Sequence, residues 1–221
     1  LAGITNETAL DLAAKSQLKV GSCLASIGDF DAAEVAYKRV ATLFKFDKGL
    51  ITDAYQRMAD MYYDNGDFES SVQAYRDAID DVNDKIFRAK MQVLICQRYF
   101  DNAYYEDSVR EYSYYISSYS DVAFRAGYDL DEAFFWLGRS HYEVGNGLLK
   151  SGENEAGNDN IQQALSQYER IFEQFPETDI TSRIYFYQAQ AYQKINNEEN
   201  LNNAIAKYNQ LLEEFPETPY I

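Results

Sequence analysis

Histidine is almost missing from this chain: His141 stands alone in 221 residues. Sites built on two or three imidazole ligands are therefore excluded. Cysteine is scarce too. Cys23 and Cys96 lie far apart and in no metal-ligand spacing. They read either as a disulfide or as two buried thiols, and the second reading is adopted because a free cysteine behaves as a small hydrophobe. Basic residues number 20 against 36 acidic ones, a formal charge of −16. That shortage removes the basic face needed to neutralise nucleic-acid phosphates or to dock on anionic lipid. No apolar run approaches the roughly 20 residues of a membrane span. Prolines number only three.

What the chain does have is 46% apolar residues and 20 tyrosines, enough to bury a core. It also repeats itself. Tyr168 to Thr178 reads YERIFEQFPET, and Tyr208 to Thr218 reads YNQLLEEFPET, 40 residues later. GDFDAAEVAYKRV from Gly28 returns as GDFESSVQAYRDA from Gly66, an offset of 38. AYYEDSVREYSYY from Ala103 follows after 37 more. The spacing predicts five units, near 6–46, 50–83, 84–119, 129–178 and 180–218, filling one array over 1–221. Each pairs two amphipathic helices. In the second helix a small residue precedes a tyrosine by four and a further residue by seven: Ala33/Tyr37/Val40, Ser71/Tyr75/Ala78, Ser108/Tyr112/Tyr115, Ala164/Tyr168/Ile171 and Ala204/Tyr208/Leu211. Those spacings share one helical face. The tyrosine ring is expected to fill the space between neighbouring pairs. The first helices supply small residues at the crossing, Gly21, Ala59, Cys96, Gly138 and Ala189.

Gly28, Gly66 and Gly145 are expected to mark turns between helices, and Pro176 and Pro216 to end them. Asp129, three residues before Glu132, reads as a cap. The connection after Ile116 is long enough for a partial turn of helix. In the fourth unit the small positions are 26 residues apart, against 12 in the second. The excess is read as an acidic insertion over 145–159, a solvated loop. Oxygen ligands at a calcium-loop spacing are absent from it.

Phe134-x2-Leu137-Gly138, and Tyr55-x2-Met58-Ala59-x2-Tyr62 followed by Gly66, Ser71, Tyr75 and Ala78, resemble the tetratricopeptide signature; Pro176 and Pro216 stand where that family has its closing proline. Departures are His141 at the usual tyrosine place, no closing proline in the first three units, and spacings above the family's 34 or so, which imply long turns between helices. The resemblance implies an all-α solenoid of about ten main helices wound as a right-handed superhelix. It also implies a protein-binding concave face lined by first helices. Carried over by position, that face holds Gln56, Asp60 and Tyr63, then Val93, Gln97 and Phe100. Phe135, Arg139 and Tyr142 follow, then Phe186 and Gln190. The alternative is that half of these only pack against neighbouring helices. The lysine/asparagine clamp of chaperone adaptors is not matched, since Leu18, Ser22, Gln56 and Asp60 stand at its places.

Chemistry finds little to work with. Asp80-Asp81 and Glu198-Glu199 are paired carboxylates at expected helix ends, where acids sit exposed. His141 occupies a core-pattern position, which suits a packed neutral imidazole. Gly145-Asn146-Gly147 lacks the lysine and preceding strand of a phosphate loop. No enzymatic activity, cofactor or metal is expected. The expected partner is a protein or peptide, not nucleic acid, with no direct membrane insertion by this segment. The F-P-E-T phrase after a tyrosine-rich helix is similar to bacterial envelope tetratricopeptide proteins, such as the lipoprotein subunit of the outer-membrane barrel assembly machine. An interaction scaffold in an extracytoplasmic (periplasmic or extracellular) assembly is the expected function. The alternative is a structural protein that assembles end to end into a helical filament. The chain begins with Leu, which suggests processing or cutting, and no capping helix follows Pro216.

Overall fold

The computed structural model describes residues 6–44 and 47–220, with side chains from residue 9 onward. Among these it holds eleven helices, and they are the whole secondary structure. The long ones come as pairs: α1 (Asn6–Ser26) with α2 (Phe30–Leu43), α3 (Lys48–Asp64) with α4 (Phe68–Asp81), and α5 (Lys85–Asp101) followed by α6 (Tyr105–Tyr119). A single turn, α7 (Ala123–Ala126), precedes α8 (Leu130–Ser151) with α9 (Asn154–Gln174) and α10 (Thr181–Ile195) with α11 (Glu198–Glu214). This is the all-α helical-repeat fold expected, and α7 is the partial turn anticipated after Ile116.

The chain forms two compact units, Leu1–Ile95 and Cys96–Ile221. In the first, α1 packs on α2, α3 on α4, and α3 also on α1 and α2. In the second, α6 packs on α8, α8 on α9 and α10, α9 on α10, and α10 on α11.

The repeated tyrosines explain the pairing. A Cβ added to Gly21 would sit 2.6 Å from Cε1 of Tyr37, and one added to Gly138 would sit 2.6 Å from Cε1 of Tyr168. The ring therefore fills the space that glycine leaves on the first helix of its own pair. At these two positions the ring packs against the first helix of its own pair, where the expectation put it between neighbouring pairs. Tyr37, Tyr75, Tyr112 and Tyr168 are all buried, and Tyr208 is half-buried. Hydroxyls find partners at the edges of these cores. Tyr55 donates to Asp81, Tyr62 to Glu34, and Tyr115 to the carbonyl of Tyr128 at 3.0 Å. These three fill a core and still satisfy their polar tips, whereas the buried Tyr168 hydroxyl has no hydrogen-bond partner among the described residues.

Turns are tight. Gly28 and Gly66 adopt φ of +83° and +80°, which closes the first helix, and Asp29 and Asp67 then cap the second by accepting from Ala32 N and Ser70 N. Pro176 and Pro216 follow the ends of α9 and α11 by two residues. Asp129 is the N-cap residue of α8, as expected, but its side chain makes no capping hydrogen bond.

Four expectations change. The extra length of each repeat lengthens helices and not turns: α8 and α9 have 22 and 21 residues, and only Gly152 and Glu153 lie between them. The stretch 145–159 is accordingly no solvated loop. Its glycines sit at a helix crossing, where a Cβ on Gly145 would meet the Gly157 carbonyl oxygen at 2.7 Å and one on Gly157 would meet Leu149 Cγ at 2.7 Å. Gly145 thus marks close packing within α8 and not a turn. Cys96 is buried as expected, but Cys23 is exposed, and the two form no disulfide.

Candidate protein-interaction face

The side chains proposed from the resemblance divide by unit. In the first, on α3, Gln56 is half-buried while Asp60 and Tyr63 are exposed; Val93, on α5, is buried. In the second unit Gln97, Phe100, Arg139, Phe186 and Gln190 are half-buried, whereas Phe135 and Tyr142 are buried. Val93, Phe135 and Tyr142 therefore belong to packed cores and offer a ligand little surface. The register of the motif placed them on the face, but neighbouring helices cover them.

The second unit does bring several of these residues together. Rings touch in an unbroken series from the end of α5 across α8 to α10. Phe100 meets Trp136 at 4.8 Å between centroids, and Trp136 meets Phe135 at 5.5 Å. Phe135 meets Tyr187 at 5.5 Å, Tyr187 meets Phe186 at 5.1 Å, and Phe186 meets Tyr220 at 5.3 Å. Most contacts are edge-to-face, the arrangement the ring quadrupole prefers. Trp136, Tyr187 and Tyr220 were not among the expected residues. The adjacent pairs Phe135-Trp136 and Phe186-Tyr187 are the available signal for two of them, because neighbouring rings in the sequence touch one another.

Arg139 is the charged centre of this series. Its guanidinium carbon lies 3.8 Å from the Tyr187 ring centroid and 5.7 Å from that of Tyr142. Its Nη2 donates to Glu143 Oε1 at 2.8 Å, one turn along α8. Both side chains are mostly covered, at 13% and 20% exposure, so stacking and ion pair reinforce one another in a poorly hydrated place. Burial raises the Tyr142 hydroxyl above its usual pKa, and the Glu143 carboxylate raises it further. Tyr105 is raised in the same way by burial and then by Glu143. These hydroxyls stay protonated. A second pair, Arg183 with Glu132, ties α10 to α8 while the Arg183 guanidinium lies over Phe135 at 4.7 Å.

His141 is half-buried and turned toward α9, with Nδ1 3.1 Å from Asn160 Oδ1. Burial lowers its pKa, and the hydrogen bond opposes that only in part. Among the described residues no cluster of three His, Cys, Asp or Glu side chains is placed to hold a metal ion, and no helix is long and apolar enough to cross a membrane. The arrangement offers stacking surfaces, phenolic donors and a fixed cation.

Comparison with known proteins agrees with this picture. Sequence models of the tetratricopeptide repeat match residues 52–80, 132–178 and 184–218, together about half of the chain. No curated protein sequence matches. Solved structures share the fold at low identity. A putative kinesin light chain from Podospora anserina with nearly identical TPR-like repeats is 12% identical with a TM-score of 0.55, over 92% of this chain and 97% of that one. MamA from Desulfovibrio magneticus is 13% identical with a TM-score of 0.51, over 93% and 97%. YrrB, described as a TPR protein with an unusual peptide-binding site, is 14% identical with a TM-score of 0.50, over 92% and 87%. With the repeat matched on both sides of the chain and the paired helices in place, the protein belongs to the tetratricopeptide-repeat family.

Proposed function

We propose that this protein is an interaction scaffold, and that the face shared by α8 and α10 holds an extended segment of a partner protein. The observation that carries this is the continuous ring series from Phe100 to Tyr220, with Arg139 locked at its centre. Rigid rings give contact area at low entropic cost, and half-buried Gln97 and Gln190 add amide groups that pair with a peptide backbone. An envelope or extracellular assembly is the setting that the F-P-E-T phrase suggests. The test is selection of a random peptide library against the chain, followed by affinity measurement on Phe186→Ala and Tyr187→Ala variants. Selected peptides should weaken about tenfold or more on at least one variant. Peptides indifferent to both, or a library that never enriches, would count against this face.

A second reading has its own observation. Leu201, Ile205 and Leu212 are exposed at helical spacing on α11, with half-buried Tyr208 between them. Such a stripe supports end-to-end association of copies of the chain. Light scattering that stays at 25.4 kDa as salt rises rules this reading out, and growing filaments support it.

A further inference from the structure

A separate hollow lies where the short α7 and the first turn of α8 meet the turn between α9 and α10. It encloses about 410 Å³, at the lower end of the range for small-ligand sites and enough for one or two side chains. All of it belongs to the second unit. Its apolar surface comes from Phe124, Leu130, Phe175 and Pro176. Phe124 is 84% exposed, the most open large apolar side chain among the described residues. A lone exposed ring is ordinary on a protein surface. This one forms the lip of an apolar cup, so it extends a surface that is already there.

The mouth is acidic. Asp129 and Glu177 are exposed at the cup, Asp131 is half-buried beside them, and no lysine or arginine lines it. Asp131 Oδ2 accepts from the Thr178 hydroxyl at 2.6 Å, which ties the start of α8 to the α9–α10 turn and holds the cup in shape. Asp129 makes no side-chain capping bond, so its carboxylate is not committed to its own helix. An apolar cup ringed by carboxylates, on a chain of charge −16, repels acidic segments and anionic lipid. It complements a segment of the opposite character.

We propose that this cup receives a leucine or aromatic side chain from a basic segment of a partner protein, with lysine or arginine on either side of the inserted residue. The inserted side chain stacks against Phe124 and Phe175, and the flanking cations meet Asp129 and Glu177. The ring contacts carry the affinity. The rim charges set the association rate and the salt dependence, because exposed ion pairs add little binding energy. The cup shares no residue with the ring series on α8 and α10, so the two sites can fail or succeed independently.

The test uses a fluorescein-labelled decapeptide carrying Leu-Phe between two lysine pairs, read by anisotropy against the full chain. One control replaces Leu-Phe with Gly-Gly, and another replaces the lysines with glutamates. The basic apolar peptide should bind at least about tenfold more tightly than either control, and Phe124→Ala should weaken it about tenfold. Phe124 is exposed, so that variant keeps the fold, which its circular dichroism should confirm. Asp129→Asn combined with Glu177→Gln should flatten the dependence of affinity on salt. Phe186→Ala and Tyr187→Ala should leave binding unchanged. Several outcomes overturn the proposal: no saturable binding, equal binding of the Gly-Gly peptide, indifference to Phe124→Ala, or sensitivity to Phe186→Ala. A wild-type chain that dimerises in sedimentation while Phe124→Ala stays monomeric would give the cup to a second copy and overturn it as well.

Discussion

At the scale of the residue, burial decides what a side chain does. His141 illustrates this. Its imidazole is held neutral by burial, below its ordinary pKa of 6.5, with Nδ1 against Asn160 Oδ1. The unfolded chain takes up a proton near pH 6.5 and the folded chain does so only at lower pH. The unfolded state therefore binds more protons in that interval, and stability falls as pH falls. The contribution is complete above pH 6.5 and is lost on acidification toward the lower, folded-state pKa. His141→Asn keeps an N–H near the Nδ1 position and removes the titration. In urea melts, the stability of the wild type relative to this variant should decline between pH 7.5 and pH 5.5. A constant difference across that range would show that the imidazole titrates alike in both states. Residue type made the neutral histidine legible in the sequence, since it filled a core-pattern position. The same reasoning failed for Phe135 and Tyr142, which a position-based rule put on a binding surface. What buries them is the packing of α10 against α8, and register within one helix carries no information about that.

Among the elements, α8 and α9 best show where the sequence could be read and where it misled. Regular spacing of small and aromatic residues made the helix pairs plain from Gly28 to Leu211. The stretch GNGLLKSGENEAGND has the sequence of a loop because glycine and polar residues dominate it, and intrinsic propensity is a weak guide once tertiary contact stabilises a helix. Gly145 and Gly157 are there for the crossing. Gly147, two residues from Gly145, has nothing within 4 Å of an added Cβ. The two positions should thus respond in opposite directions to the same change. Gly147→Ala should stabilise the protein by up to about 1 kcal/mol through helix propensity alone. Gly145→Ala should destabilise it by about 1–3 kcal/mol, because the Gly157 carbonyl oxygen and Ile161 must move. Chemical denaturation of the two variants beside the wild type decides the matter; stabilisation by Gly145→Ala would mean that the helices separate at no cost.

For the molecule as a whole, stability in a repeat array is unevenly spread, because each helix pair depends on its neighbours. α8 buries nine side chains or glycines along its 22 residues, whereas α11 buries only Ala204 and Leu211 along 17. Amide exchange in the 221-residue chain should be faster through α11 than through α8 and α9, with opening free energies below that of global unfolding. Equal protection in both would argue for a single cooperative unit reaching the last helix. The charge of −16 adds mutual repulsion that salt relieves, so surface contacts with acidic partners are disfavoured at every exposed face. The two thiols offer a practical consequence. With Cys23 open and Cys96 enclosed in α5, a maleimide dye should add one mass tag to the native protein and a second only as α5 opens. The chain therefore comes with a built-in clock for its own unfolding, and with one ready position for a spectroscopic probe on α1.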